Sequence, residues 1–248
     1  MPDNHQVLDN VTHKDIKIDL DKCLEQERNQ SFARVFPSEF RMLHTYFPLF
    51  FQKRADTGKF EAIAVFGFSE QQNLCVDKPE WRIENKPLTL RRQPFLIGFQ
   101  THEQNGVPME EPVVFIDMHH PGVNRHRGTD IFLPQGGQSA YLTEAASTLN
   151  AIHVGHTQLT LLVDNLLKYQ LLESVNITVT LDNGETRALN SLYTIHEENL
   201  ASLDANALQV LHSQGHLQAI YCCVLSANNL SRLIDYQNAF NQPAGIGQ

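Results

Sequence analysis

The chain lacks any apolar run approaching the roughly 18 residues that a membrane-spanning helix needs. Its start, Met1-Pro2-Asp3-Asn4-His5, has neither a basic n-region nor an apolar h-region, so no signal peptide is read there. Cysteine is sparse. Cys23, Cys75, Cys222 and Cys223 form no CxxC pair, and they read as reduced, partly buried thiols of a cytoplasmic protein. Positive charge is scarce too: 19 Lys and Arg stand against 28 Asp and Glu, a net charge of -9, and only Arg91-Arg92 is dense. Phosphate neutralisation needs clustered cations, so this balance disfavours non-specific binding to nucleic acid, and no nucleic-acid partner is expected. There is no GxSxG elbow, no GxxxxGK(S/T) loop and no GxGxxG turn, and no cysteine sits beside a basic group that would activate it. No internal repeat at solenoid periods is found.

What is present is enough for a large core. The chain has 248 residues, 42% of them hydrophobic, which fits one large domain or two small ones. We read residues 1–30 as a polar N-terminal segment, 31–240 as one α+β domain and 241–248 as a flexible tail. Within the first segment Ile16, Ile18 and Leu20 alternate as in a short edge strand. Pro37-Ser38-Glu39-Phe40 predicts a helix start with Ser38 as N-cap. Leu49–Lys53 and Phe60–Phe68 flank the turn Asp56-Thr57-Gly58-Lys59, a hairpin signature. A linker-like stretch surrounds Asp77-Lys78-Pro79-Glu80-Trp81. A second strand pair is expected at Pro94–Gln100 and Pro112–Asp117, with Gly106-Val107-Pro108 turning the chain. Residues 119–139 read as a long irregular loop, a length usually tied to function or mobility.

Leu142, Ala145, Leu149, Ile152, His156, Leu159, Val163 and Leu166 follow at spacings of three and four. They predict one long helix, or two broken near Gly155, packed on a sheet through a narrow apolar stripe. A hairpin follows over Val175–Leu192, then helices over Leu200–His212 and His216–Phe240, joined at Ser213-Gln214-Gly215. Strand pairs joined by tight turns and interrupted by helices imply an antiparallel or mixed sheet, hence α+β rather than a doubly wound parallel fold.

Chemistry has one concentrated candidate. Asp117, His119, His120 and His126 lie within a strand end and loop, and imidazole with carboxylate oxygen suits Zn or Fe(II). His153 or His156 could add a distant ligand. Against this, Arg125 and Arg127 would repel a cation, and a solvated or partner-facing loop explains the same residues. His156, on the helical stripe, reads as a core histidine hydrogen-bonded to a neighbour. Arg91 and Arg92 could clamp a carboxylate or acidic peptide, or form ordinary surface ion pairs. Trp81, the one tryptophan, is either a binding aromatic in a surface loop or a partly buried anchor.

Several blocks resemble the SapC family, named for a protein associated with bacterial S-layer export and distinct from the similarly named peptide-transporter permease. Tyr46-Phe47-Pro48-Leu49-Phe50-Phe51 is similar to the family's YP-hydrophobic-F block. Leu90-Arg91-Arg92-Gln93-Pro94-Phe95 resembles its LRRYPF motif with Gln93 in place of the aromatic, and Phe115-Ile116-Asp117 its C-I-D strand. Leu192-Tyr193, Glu197-Glu198-Asn199-Leu200, Leu211-His212 and Gly215 match its last block. The chain departs from the pattern at Met118-His119-His120 and at Leu133-Pro134-Gln135, where the family commonly runs acidic. The resemblance implies an accessory role beside modification enzymes rather than a reaction.

Together these readings favour a cytoplasmic accessory protein that binds a peptide or protein partner through Arg91, Arg92 and Trp81, with no cofactor. The alternative is a Zn- or Fe(II)-dependent enzyme on the histidine loop. A homodimer built on the apolar stripe is the third option.

Overall fold

A computed structural model describes residues 4–77, 80–104 and 107–242. The turn expected at Gly106, the linker residues Lys78 and Pro79 and the tail from Pro243 lie outside the described residues. The fold is α+β, and every strand pairing among the described residues is antiparallel. The chain divides into two compact units, each assembled from two stretches of sequence: residues 1–27 with 88–154, and 28–87 with 155–248. Helix Ala140–Lys168 is continuous, and its residues are shared between the two units at Val154 and Gly155.

In the first unit Val107–Asp117 is the middle strand of three, paired with Phe95–Gln104 on one side and His5–Val7 on the other. The alternating apolar residues of these strands bury Phe95 and Ile116 completely. The same core takes Leu142, Ala145 and Leu149 from the helix and Ile16, Ile18 and Ile131 from elsewhere. Lys17–Ile18 is not an edge strand. It lies between Val123–Asn124 and Thr129–Asp130, and Leu20 opens a helix, Leu20–Glu27. The long segment 119–139 is therefore held by the N-terminal segment. Lys17 Nζ donates to Asp130 Oδ1 at 2.6 Å, and the Arg127 guanidinium pairs with Asp19, at 3.2 Å, and with Asp21.

The second unit carries a five-stranded sheet in the order Leu172–Thr180, Thr186–Ile195, Leu49–Lys53, Phe60–Val65, Phe32–Val35. Both turns expected from sequence are there, and Gly58 and Gly184 adopt the positive φ that tight turns require, at 67° and 83°. The strand pair 172–195 carries a register shift between Val175 and Ile177, and Asn176 Oδ1 accepts from Ser191 N at 3.2 Å across it. Helix His216–Ser226 packs on strands Leu49–Lys53 and Thr186–Ile195. Ser226 pins it there, its Oγ accepting from Leu49 N at 2.9 Å.

Helix Pro37–Leu43 begins two residues earlier than Ser38 as N-cap would place it. Phe36 is the N-cap, Pro37 occupies the first helical position, and Glu39 Oε1 reaches back to accept from Phe36 N at 2.9 Å. The stripe on the long helix is buried at every expected position except His156, which is exposed and sits edge-on to Phe36 at 4.8 Å. No break occurs at Gly155. A Cβ there would meet the Phe36 side chain at 2.7 Å, so glycine lets this ring close against the helix.

Candidate functional site

The expected partner-binding trio is dispersed in its roles. Arg91 Nη2 donates to Glu144 Oε1 at 2.9 Å, an exposed ion pair of the kind that contributes little. Arg92 Nη1 donates to the Phe95 carbonyl at 2.6 Å, bracing the start of the strand. Trp81 is buried, edge-on to Phe66 at 5.4 Å and to Phe47 at 6.3 Å, with Lys86 Nζ 5.6 Å from its ring centre.

The histidine loop is built from backbone caps. Asp117 Oδ1 accepts from His119 N at 3.0 Å, and Asn124 Oδ1 accepts from His126 N and Arg127 N at 2.9 and 2.8 Å. His119 and His126 are exposed, whereas His120 is buried. The His120 Nδ1 accepts from Gly122 N at 3.1 Å, and its Nε2 faces Gln93 Oε1 at 3.4 Å. Among the described residues no three His, Cys, Asp or Glu side chains converge as metal ligands. His153 is also exposed, tilted against Phe99 at 5.0 Å.

A groove of about 480 Å³ lies in the second unit, between helix Pro37–Leu43, the C-terminal half of helix Ala140–Lys168 and the start of helix His216–Ser226. Each wall has a local cause. Phe40 and Leu43 anchor the first helix by full burial, which turns Arg41 outward. Leu159, Leu162 and Leu166 bury one face of the long helix and leave Gln158 and Leu161 on the other. Asp204 Oδ1 caps helix Ala205–Ser213 by accepting from Ala207 N at 2.7 Å. Gly215, at φ 74°, then redirects the chain into helix His216–Ser226.

Leu161 and Pro37 give the groove its exposed apolar surface, with buried Phe40 and Ala219 behind them, and Gln158, Gln214 and Gln218 bring three carboxamides. Asn165 Nδ2 donates to Gln214 Oε1 at 2.7 Å and lies 3.0 Å from His216 Nδ1, fixing both side chains. Gln158, Gln218 and Arg41 form no side-chain hydrogen bond or ion pair among the described residues. Among the described residues, Arg41 is the one Lys, Arg, Asp or Glu lining the groove. Cys222 also lines it, but burial pushes its thiol up, away from the thiolate that nucleophilic chemistry needs. The wall therefore offers hydrogen-bond donors, acceptors and one cation, with no carboxylate to serve as base.

Burial holds the imidazoles of His216 and of His120 below their ordinary value of 6.5; at His120, Arg92 adds to this and Asp117 opposes it. The unfolded chain takes up these protons near pH 6.5, the folded chain only at lower pH. Between those two points the unfolded state binds more protons, so stability rises with pH through the window and falls as pH drops below 6.5. Urea unfolding midpoints measured from pH 7.5 to 5 are expected to decline, and His120→Gln is expected to flatten the slope. A midpoint that rises on acidification would contradict the assignment.

Sequence reading missed Arg41, Gln158, Gln214 and Gln218. Gln218 and Cys222 are one helical turn apart and so share a face, a faint signal that carries no meaning without the other two helices.

The family model for SapC matches residues 8–233. No curated protein and no solved structure matches the chain. Among the described residues no helix is long and apolar enough to cross a membrane.

Proposed function

The chain belongs to the SapC family, and on that premise we propose that it is a cytoplasmic accessory protein that recognises a peptide segment of a partner through the groove of the second unit. The observation that carries this reading is the lining itself: three carboxamides and a guanidinium around the apolar surface of Leu161 and Pro37. A carboxamide both donates and accepts, which matches a peptide backbone that presents N–H and C=O in alternation. A volume near 480 Å³ falls in the range of ligand sites and admits a few residues of chain.

Panning a random heptapeptide display library tests the reading. The wild-type protein is expected to enrich related sequences. A Gln158→Trp, Gln218→Trp variant, whose indoles fill the groove from exposed positions, is expected to retain none of them while unfolding at the same temperature. Equal retention by both proteins, or no enrichment at all, would refute it.

A further inference from the structure

We propose that the groove selects peptide segments bearing a carboxylate, and that Arg41 is the residue that reads it. This rests on the peptide-binding reading and sharpens it to a chemical class. Arg41 projects from the exposed side of helix Pro37–Leu43, whose buried Phe40 and Leu43 fix the direction in which that side faces. It has no ion-pair partner among the described residues, although the chain carries nine more negative than positive charges. On the surface Arg54, Arg82, Arg91 and Arg127 have carboxylates within 4 Å, whereas Arg125 and Arg232 form no ion pair among the described residues; what sets Arg41 apart is its place in the wall of the groove. Among the described residues that line this groove there is no Asp or Glu.

Complementarity assigns the missing anion to the ligand. A guanidinium presents a planar fork of donors to a carboxylate, and a charge-assisted pair of this kind is about twice as strong as a neutral hydrogen bond. Arg41 and Cys222 line the same groove, on the helices Pro37–Leu43 and His216–Ser226 that face across it. Gln158 and Gln218, free of internal partners, are left to pair with the peptide groups flanking the carboxylate. A peptide C-terminus and an Asp or Glu side chain share this chemistry.

Four pools of hexapeptides labelled with an uncharged BODIPY dye, randomised over uncharged residues, separate the sources. They carry either a free or an amidated C-terminus, and either one glutamate or none. Fluorescence polarisation against wild type, Arg41→Gln and Arg41→Lys gives the readout. Wild type is expected to bind at least one carboxylate-bearing pool roughly tenfold more tightly than the amidated, glutamate-free pool. Preference for the free terminus alone assigns the C-terminal carboxylate; preference for glutamate in both backgrounds assigns the side chain. Arg41→Gln is expected to erase the preference while keeping the weaker binding of neutral peptide, and Arg41→Lys to keep part of it. Four pools bound alike, or a preference unchanged in Arg41→Gln, would overturn carboxylate selection and leave peptide binding standing. No binding of any pool would overturn both. Succinate competing as well as the peptides would overturn the peptide ligand in favour of a small free acid.

Discussion

Trp81→Ala is expected to destabilise the second unit by about 3–5 kcal/mol, the range for removing a large aromatic from a packed core. The indole is 8% exposed and meets Phe66 and Phe47 edge to face. Both phenylalanines are themselves fully buried and held by packing, so they cannot move to fill the vacated volume. Trp81 stands in a two-residue strand paired with Val76, which ties the ring to the backbone next to Cys75, another buried residue with its thiol pushed up to about 12 by burial. Urea unfolding followed by far-ultraviolet circular dichroism checks the loss. Trp81→Phe is expected to lose substantially less, since a ring remains. Because Trp81 is the only tryptophan, its fluorescence in the wild type reports on this unit alone, and its emission is expected to be blue-shifted until the unit unfolds. Wild-type stability in Trp81→Ala would contradict the aromatic core.

Gly128→Ala is expected to cost roughly 2–6 kcal/mol, combining about 1–3 for a side chain at unfavourable φ with about 1–3 for overpacking. Gly128 has φ 116°, and an added Cβ would sit 2.2 Å from the Ile18 carbonyl oxygen and 2.7 Å from Asp19 N. Those atoms are backbone of the strand that lies between Val123–Asn124 and Thr129–Asp130, so they cannot turn aside as a side-chain end could. The clash is relieved only by separating segment 119–139 from the N-terminal strand. Hydrogen exchange in Lys17–Ile18 and in Val123–Asn124 is expected to accelerate well before the rest of the first unit does. Gly137→Ala, whose Cβ would meet only the Leu133 side chain at 3.7 Å, serves as the control and is expected to be near neutral.

Elements set by neighbouring residues were readable in the chain. The turns at Gly58 and Gly184 and the three-four spacing of the long helix depend on residues a few positions apart, and each appears where expected. The antiparallel α+β character followed from them. The exceptions have long-range causes. Ile16 and Ile18 alternate like an edge strand, but only Lys17–Ile18 forms a strand, its partners lie beyond residue 120, and no local pattern announces a strand placed between two others. Ser38 has the right side chain for an N-cap, yet Pro37 at the first helical position moves the boundary to Phe36. His156 keeps the stripe spacing but emerges at the surface beside Gly155, where the helix closes on Phe36.

The groove was the least readable part. Its walls come from residues 37–41, 158–161 and 214–222, each unremarkable alone, and only the packing of three helices gives the glutamines and Arg41 a common surface. The arginine pair at 91–92 drew attention because its residues are adjacent in sequence. In the fold one is paired with Glu144 and the other with a backbone carbonyl.

Hydrogen exchange of the full chain with and without an enriched peptide tests the central claim most directly. Recognition in the groove predicts slowed exchange confined to helices Pro37–Leu43 and His216–Ser226 and to the stretch of helix Ala140–Lys168 around Gln158. Protection at Leu88–Arg91 and the following Arg92, with the groove helices unchanged, would contradict it.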